Sequence, residues 1–312
     1  MAAGRYVKSG DSFYDALAGS GSMKRKQSLD QIRWDLALRY RLIETVAWRE
    51  GRLTTGHLMQ SFGISRQQAS KDINTYLNEY APGNLVYDKH LKGYRPAEQF
   101  DPRFIDGSAS AYLHLLNQNH DRAAHIDGLA LAYAHTQVLQ VPDRSIRPQV
   151  LRPILQACRE QLRLEAEYLS FSTPTVEVRV MVPHTLIYTG MRWHVRAYCE
   201  KHRDYRDFVL SRFRGEPDLI DRSAQGQQAD DGWNTAVEVQ LIADPRLAVA
   251  QRRIIEYDYG MQGGNLTIPT RGALVQYVLQ RFQIDPQRLQ AKAEAQQLVV
   301  ANLESLRRWL YN

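Results

Sequence analysis

The stretch Ile64-Ser65-Arg66-Gln67-Gln68-Ala69-Ser70-Lys71-Asp72-Ile73-Asn74 decides the reading of the first domain. Ser65 and Gln68 stand at the S-x-x-Q spacing of a capping box, which predicts a helix starting at Ser65. On a helical wheel Ala69, Ile73, Tyr76, Leu77 and Tyr80 share one arc, while Gln67, Ser70, Lys71 and Asn74 share the opposite one. The outward groups are amide, hydroxyl and ammonium donors that can bond base edges and phosphates, and the free N–H groups of the first turn favour an anion. Upstream, Ile32, Leu36, Tyr40, Ile43 and Ala47 recur at three- and four-residue steps, so an amphipathic helix is expected from Leu29 to about Glu50, ending at Gly51. Thr54-Thr55-Gly56 then opens a short helix with Leu58, Met59 and Phe62, closed by Gly63. Two helices joined at a glycine turn, the second capped and polar outside, make a helix-turn-helix. A small helical bundle with an ordinary polar face would fit the motif alone.

The next segment favours the first reading. Leu85-Val86-Tyr87 and Tyr94-Arg95 flank Asp88-Lys89-His90-Leu91-Lys92-Gly93, a hairpin with two lysines and a histidine at its tip. A basic hairpin following a recognition helix is a wing, placed to touch the phosphate backbone beside the groove. Residues 28–100 therefore read as a winged helix-turn-helix. Its expected DNA contacts are Thr55, Ser65, Arg66, Gln67, Ser70, Lys71 and Asn74 from the helices, and Lys89, His90 and Lys92 from the wing.

Charge points the same way. The 312 residues carry 40 Lys+Arg against 34 Asp+Glu, a net +6, but the excess is uneven. Residues 1–100 hold 15 basic and 10 acidic side chains, residues 101–312 hold 25 and 24. A positive segment ahead of a near-neutral body suits a phosphate-binding module joined to something else, although a solvated basic surface would give the same count. No apolar run approaches the roughly 18 residues of a membrane helix, and no secretory signal pattern is present. Two cysteines without a CxxC, Cys158 and Cys199, suit a reducing compartment, so a cytoplasmic protein with no membrane partner is expected.

Residues 1–27, with the Gly-Ser run before Met23 and then Lys24-Arg25-Lys26, read as a leader or tag. Residues 101–160 read as a helical connector or dimerisation platform broken by Pro142, Pro148 and Pro153. From Arg163 the period becomes two: Leu164, Ala166 and Tyr168, then Val176, Val178, Val180 and Val182, alternate with polar or outward neighbours. Pro183-His184-Thr185-Leu186 breaks this pattern, and Arg192–Cys199 and Arg206–Phe213 read as further strands. Four or five short antiparallel strands over residues 161–222 suggest a small barrel. The polar stretch Asp221–Gly232 looks like a linker. Residues 223–312 read as a compact α+β domain: a strand at Val237–Leu241, a helix after Pro245 and an amphipathic helix from Arg271 to Phe282.

The ordered pieces Tyr168-x-Ser170, Pro183-His184-x-Leu186, Gly190-x-Arg192-Trp193-His194-Val195-x-Ala197-Tyr198 and Arg206-x-Phe208-x-Leu210-Ser211-Arg212 resemble the WYL domain of bacterial transcription regulators. The domain order resembles that family over residues 28–312, most closely the repressors beside BREX and CBASS anti-phage defence operons. The resemblance implies an α+β multidomain fold with an Sm-like β-barrel and a C-terminal dimerisation or regulatory domain. It also implies a basic pocket that senses a nucleotide or short nucleic-acid effector, lined by Tyr168, Ser170, His184, His194, Arg196, Arg206 and Arg212. Guanidinium groups grip phosphate bidentately, His and Ser donate hydrogen bonds, and Tyr can stack on a base. Trp193 and Phe208 are expected in the core. In this chain the name-giving Trp-Tyr-Leu is Trp193-His194-Val195, which puts an ionisable ring in place of the phenol.

No G-x-x-x-x-G-K-[ST], H-E-x-x-H, G-x-S-x-G or strand-following G-x-G-x-x-G occurs, so the motifs of phosphate, metal and acyl chemistry are missing. His114, His120 and His125 lack Cys or paired carboxylates at ligand spacing, so no catalytic residue, metal or cofactor is expected. The expectation is a homodimeric DNA-binding repressor reading an inverted repeat in double-stranded DNA. An RNA-binding adaptor that uses the barrel as its working surface is the alternative.

Overall fold

The structure is a computed structural model that describes residues 32–105, 112–113, 139, 144–172 and 174–310. The expected leader, most of the expected connector helices and the His114, His120 and His125 group lie outside those residues. The chain divides into two compact units, residues 1–140 and 141–312.

In the first unit, α1 spans Trp34–Glu50, α2 Thr55–Phe62 and α3 Arg66–Thr75. The start expected at Leu29 lies outside the described residues. α1 buries Tyr40, Ile43, Val46 and Ala47 against Leu58 of α2 and Ala69 and Ile73 of α3, the apolar stripes that the spacing marks. Gly63 turns the chain between α2 and α3 at φ +63°, a left-handed conformation in which a side chain on Cβ is strained. After α3 the helix widens into a π-helical turn, Tyr76–Tyr80, that keeps Tyr76 inward. Strands β1 (Leu85–Asp88) and β2 (Gly93–Pro96) pair antiparallel as the wing, and Leu53 bridges to Tyr94. A Cβ on Gly93 would stand 2.8 Å from the Leu53 carbonyl oxygen, so this junction admits only glycine.

The core of this unit also holds a charge that the sequence pattern does not mark. Glu44 is fully buried, and its carboxylate accepts the backbone N–H groups of Arg103 (2.8 Å), Phe104 (2.7 Å) and Ile105 (3.1 Å), and the Tyr76 hydroxyl (3.0 Å). Asn84 extends the network, donating to Tyr76 Oη and to the Asp101 carbonyl. One carboxylate thereby joins α1, the end of the recognition helix and the segment leaving the domain.

The second unit opens with α4, Pro148–Glu160, placed by sequence in the connector. It packs instead on a five-stranded antiparallel sheet: β3 Leu162–Leu169, β4 Val176–Tyr188, β5 Trp193–Cys199, β6 Asp204–Val209 and β7 Phe213–Arg222. Val150, Ile154 and Ala157 of α4 share one core with Leu164, Met181, Val195 and Phe208. The strand order is β6-β5-β4-β3-β7, so among the described residues the expected closed barrel is an open sheet with β6 and β7 at its edges. α4 covers the apolar residues of this sheet. A 3₁₀ turn, Leu210–Arg212, joins the two edge strands.

The break expected at Pro183–Leu186 is a bulge, not an end. Pro183 pairs with Ala197 and Thr185 with Arg196, leaving His184 as the extra residue, so the proline stands beside a bulge, one of the places in a sheet where proline is tolerated. The expected linker Asp221–Gly232 is likewise tied down: β7 runs to Arg222, Asp230 is buried, and α5 (Asp231–Asn234) follows. Trp193, expected in the core, is 45% exposed and packs against Tyr188 on the surface, while Phe208 is buried as expected.

The C-terminal part has a three-stranded antiparallel sheet, β8 Ala236–Ala243, β9 Asn265–Arg271 and β10 Leu298–Val300, in the order β10-β8-β9. α6 (Val249–Asp258), α7 (Val275–Arg281) and α8 (Leu303–Leu306) bury Ile255, Val275, Leu279 and Leu306 with Val239 and Leu241. The helix expected from Arg271 starts at Val275, because Arg271 pairs with Ala236 as the last residue of β9. No helix of the described residues is long and apolar enough to cross a membrane.

Replacing Glu44 by alanine strips the acceptor from three backbone N–H groups and a buried hydroxyl, and is expected to destabilise the first unit by about 3 kcal/mol. Urea denaturation followed by far-UV circular dichroism measures this, and a loss below about 1 kcal/mol would refute the structural role.

Candidate nucleic-acid interface and basic cavity

Ser65 caps α3: its Oγ accepts the Gln68 N–H at 3.2 Å. The reciprocal half of the expected capping box is diverted. Gln68 Nε2 donates to Asp72 Oδ1 at 2.7 Å, buried Asp72 pairs with Arg39 of α1 at 3.1 Å, and Arg39 reaches Asp35 at 3.2 Å. This chain of charge-assisted contacts fixes the roll of α3 on α1. With that roll set, Arg66, Gln67, Ser70, Lys71 and Asn74 are all exposed, as is Ser65. Thr55, the first residue of α2, is half-buried beside a turn in which the Thr54 N–H donates to His57 Nδ1 at 2.9 Å.

At the wing tip Asp88 Oδ1 accepts the N–H groups of His90 (2.8 Å) and Leu91 (3.0 Å). Those two backbone bonds draw its carboxyl below the ordinary range, and they fold the turn so that Lys89, His90 and Lys92 are exposed. Ten side chains expected at DNA thus lie on one unit, nine of them at the surface and Thr55 partly so.

The seven expected effector residues do not form one site. Tyr168, Ser170, Arg206 and Arg212 line a cavity of about 660 Å³ together with Phe171 and His202. Tyr168 forms its floor: the ring meets Phe208 and Phe213 edge-on at 5.1 and 5.2 Å, and the hydroxyl accepts the Val209 N–H at 3.1 Å. Ser170 Oγ lies 3.0 Å from Ser172 Oγ. Arg212 stacks its guanidinium over Phe171, 5.6 Å from the ring centroid, and Phe171 is 86% exposed. Arg179 and Lys201 also border the cavity, but both pair with Glu177. Desolvation, then Arg206, Arg179 and Lys201, push His202 below its ordinary value, so it is neutral at neutral pH. Among the described residues Arg206 and Arg212 have no carboxylate partner. They are the cavity's uncommitted positive charges.

His184, His194 and Arg196 are engaged elsewhere. Arg196 makes a bidentate pair with buried Asp230 and gives Nη1 to Asp207 Oδ1 at 3.1 Å. His184, turned by the bulge, places Nε2 3.1 Å from Asp230 Oδ2. Asp230 also caps α5 by accepting the Trp233 N–H at 3.1 Å. Burial alone would raise the Asp230 carboxyl, but the His184 and Arg196 hydrogen bonds and the guanidinium charge outweigh it and hold the group down at about 2. His194, the ring in place of the family's phenol, packs against Tyr277 at 5.2 Å. Burial pushes it down to about 4, with Asp207 pulling upward and Arg192 and Arg212 opposing protonation, so it stays neutral at neutral pH. These three residues bind the sheet to the C-terminal part and do not line the cavity.

Sequence reading missed Phe171, Arg179, Lys201 and His202. The run Lys201-His202-Arg203 between two expected strands was the available signal for part of this wall; for Asp230, inside a polar stretch, there was none.

Comparison with known proteins gives three family matches: the BrxR transcriptional regulator winged helix-turn-helix domain over residues 35–118, the WYL domain over 149–215, and the BrxR transcriptional regulator C-terminal dimerization domain over 236–306. The DNA-binding transcriptional repressor CapW of Stenotrophomonas maltophilia is 30% identical over 295 residues, covering 94% of this chain and 96% of its own. CapW of Escherichia coli strain KTE188 is 35% identical over 280 residues, covering 88% of this chain and 91% of its own. CapW of Pseudomonas aeruginosa is 32% identical over 277 residues, covering 88% and 92%.

Asp230 sets a pH signature. Its folded pKa lies below the unfolded value of about 4, so its stabilisation is complete above that value and is lost as pH falls from about 4 towards 2, by ~2 kcal/mol. Urea titrations across this range should show the slope in the wild type and its loss in Asp230→Asn. Parallel curves for the two proteins would contradict the assignment.

Proposed function

The chain belongs to the family of WYL-domain transcriptional regulators that includes BrxR and CapW, and on that footing we propose that it is a homodimeric, sequence-specific repressor of an anti-phage defence operon. The observation that carries the reading is the first unit's surface: a capped recognition helix whose exposed face is Arg66, Gln67, Ser70, Lys71 and Asn74, followed by a wing with Lys89, His90 and Lys92 exposed. Amide and guanidinium groups on the helix read base edges, and the lysines hold phosphates. A dimer presents two such helices to an inverted repeat.

The cavity is the effector site in this reading. Arg206 and Arg212 grip the phosphate of a nucleotide or short oligonucleotide, Ser170 adds a hydroxyl, and its occupancy favours one of two conformers that differ in DNA affinity. The function is binding, not catalysis.

Dimerisation falls to the C-terminal domain, and the exposed apolar residues there concentrate on α6. Ile254 is 60% exposed and Tyr257 87%, with Ala250 one turn before Ile254 on the same stripe. A charge placed in a dimer contact is strongly destabilising. Ile254→Asp should therefore elute as a monomer in gel filtration with light scattering, whereas a stable Ile254→Asp dimer would place the contact elsewhere.

Footprinting on the DNA upstream of its own gene tests the repressor reading. Lys71→Ala and Asn74→Ala should each weaken operator binding by about tenfold or more, and Lys71→Ala should reduce the slope of log affinity against log salt by about 1. Arg206→Ala should leave DNA affinity unchanged and abolish the response to effector. Loss of nucleic-acid affinity in Arg206→Ala and Arg212→Ala with full binding by Lys71→Ala would instead establish the RNA-adaptor alternative.

A further inference from the structure

The cavity and the C-terminal domain meet at two consecutive residues of one strand. Neighbouring residues on a strand point to opposite faces. On β6, Arg206 and Asp207 both border the cavity, and the Asp207 side chain, 3% exposed, lies on the sheet face of its ladder partner Arg196, opposite to that of Arg206. There its Oδ1 accepts Arg196 Nη1 at 3.1 Å and its Oδ2 accepts the Tyr277 hydroxyl at 2.8 Å. Tyr277 belongs to α7, in the three-stranded C-terminal domain, and its ring packs against His194.

The strand that carries this pair is one of the two edges of the sheet. Among the described residues β6 is an edge strand whose ladder runs to β5 alone, with the Val209 N–H held besides by the Tyr168 hydroxyl, so a shift breaks no ladder on its outer side. A central strand such as β4 has partners on both sides and would have to displace both. Asp207, by contrast, cannot drift without consequence. It is a buried carboxylate with charge-assisted bonds, and displacing it removes an acceptor from Tyr277 and one partner from Arg196, while the bidentate Arg196–Asp230 pair stays whole. A displacement of β6 is thereby passed to α7, while the Arg196–Asp230 pair, carried by β5, still holds the sheet to the C-terminal segment.

We infer that Asp207 and Tyr277 are positioning residues that couple occupancy of the basic cavity to helix α7 of the C-terminal domain, with edge strand β6 as the moving part. The inference rests on the reading of the cavity as the effector site. An anion drawn onto Arg206 pulls β6 towards the cavity, Asp207 follows, and the Tyr277 contact changes. Coupling of this kind is a free energy shared by two sites, and the link residues alter it without touching the ligand.

The test uses the full-length protein and the variants Arg206→Ala, Tyr277→Phe, Asp207→Asn and Arg206→Ala/Tyr277→Phe. Tyr277→Phe removes one hydroxyl and keeps the ring that packs on His194. Amide hydrogen exchange of Val275–Arg281 is read first, without ligand. Arg206→Ala should change exchange there by about fivefold, and in the Tyr277→Phe background by less than about twofold. An equal change in both backgrounds, or none in either, overturns the coupling. The second readout is release of operator DNA by a thymidine tetranucleotide, with inorganic pyrophosphate as the probe without a base. Tyr277→Phe should bind the tetranucleotide within about twofold of wild type yet need about tenfold more of it to release DNA, and Asp207→Asn should also resist release. Normal release by Tyr277→Phe overturns the inference. If wild type binds neither probe, the effector reading fails on its own, and the exchange cycle still decides the coupling.

Discussion

The Arg196 guanidinium, buried between Asp230 and Asp207, is the contact on which the second unit's arrangement depends. Taking a cation and two carboxylates out of water costs several kcal/mol per ion, and the geometry offsets this only because nearly every donor and acceptor is used. Asp230 serves Arg196, His184 and the Trp233 N–H; Asp207 serves Arg196 and Tyr277. The sheet's central residue on β5 is thus locked to a segment with few apolar anchors. Apolar packing is tolerant of sliding, whereas a buried fork of charges has one good register.

The first unit solves a similar problem with the opposite sign. Glu44 gathers three consecutive backbone N–H groups and the Tyr76 hydroxyl, so the segment leaving the domain is pinned to the recognition helix's own core. Arg39 and Asp72 do the same for the roll of α3. The face that α3 exposes is therefore set by polar contacts inside the domain.

An open sheet and a basic cavity are connected facts. With β6 and β7 unpaired to each other, the end of the sheet near Leu210–Arg212 leaves room for a cavity floored by Tyr168 and edged by two arginines that, among the described residues, lack carboxylate partners. Arg196 is the informative contrast. It has the same chemistry as Arg206 and lies across from Asp207 in the ladder, yet it is saturated by acids. A guanidinium is available to an anion only where the fold leaves it uncommitted.

Much of this was legible in the residues. The capped helix at Ser65, the glycine turn at Gly63, the basic hairpin and the period-two segments each follow from local geometry, because helix caps, left-handed turns and strand alternation depend on residues a few positions apart. The same local rules placed Arg66, Gln67, Ser70, Lys71 and Asn74 on the outward side of α3, where they are exposed. They failed where partners are distant in sequence. Pro183 looked like a strand end until its bulge partner was known, Asp221–Gly232 looked like a linker until Asp230 met Arg196 34 residues away, and the expected barrel is an open sheet with α4 packed on its core. The seven effector candidates divided for the same reason: sequence determines that a residue is an arginine or a histidine on a strand, but only the tertiary structure decides whether a carboxylate has already taken its charge.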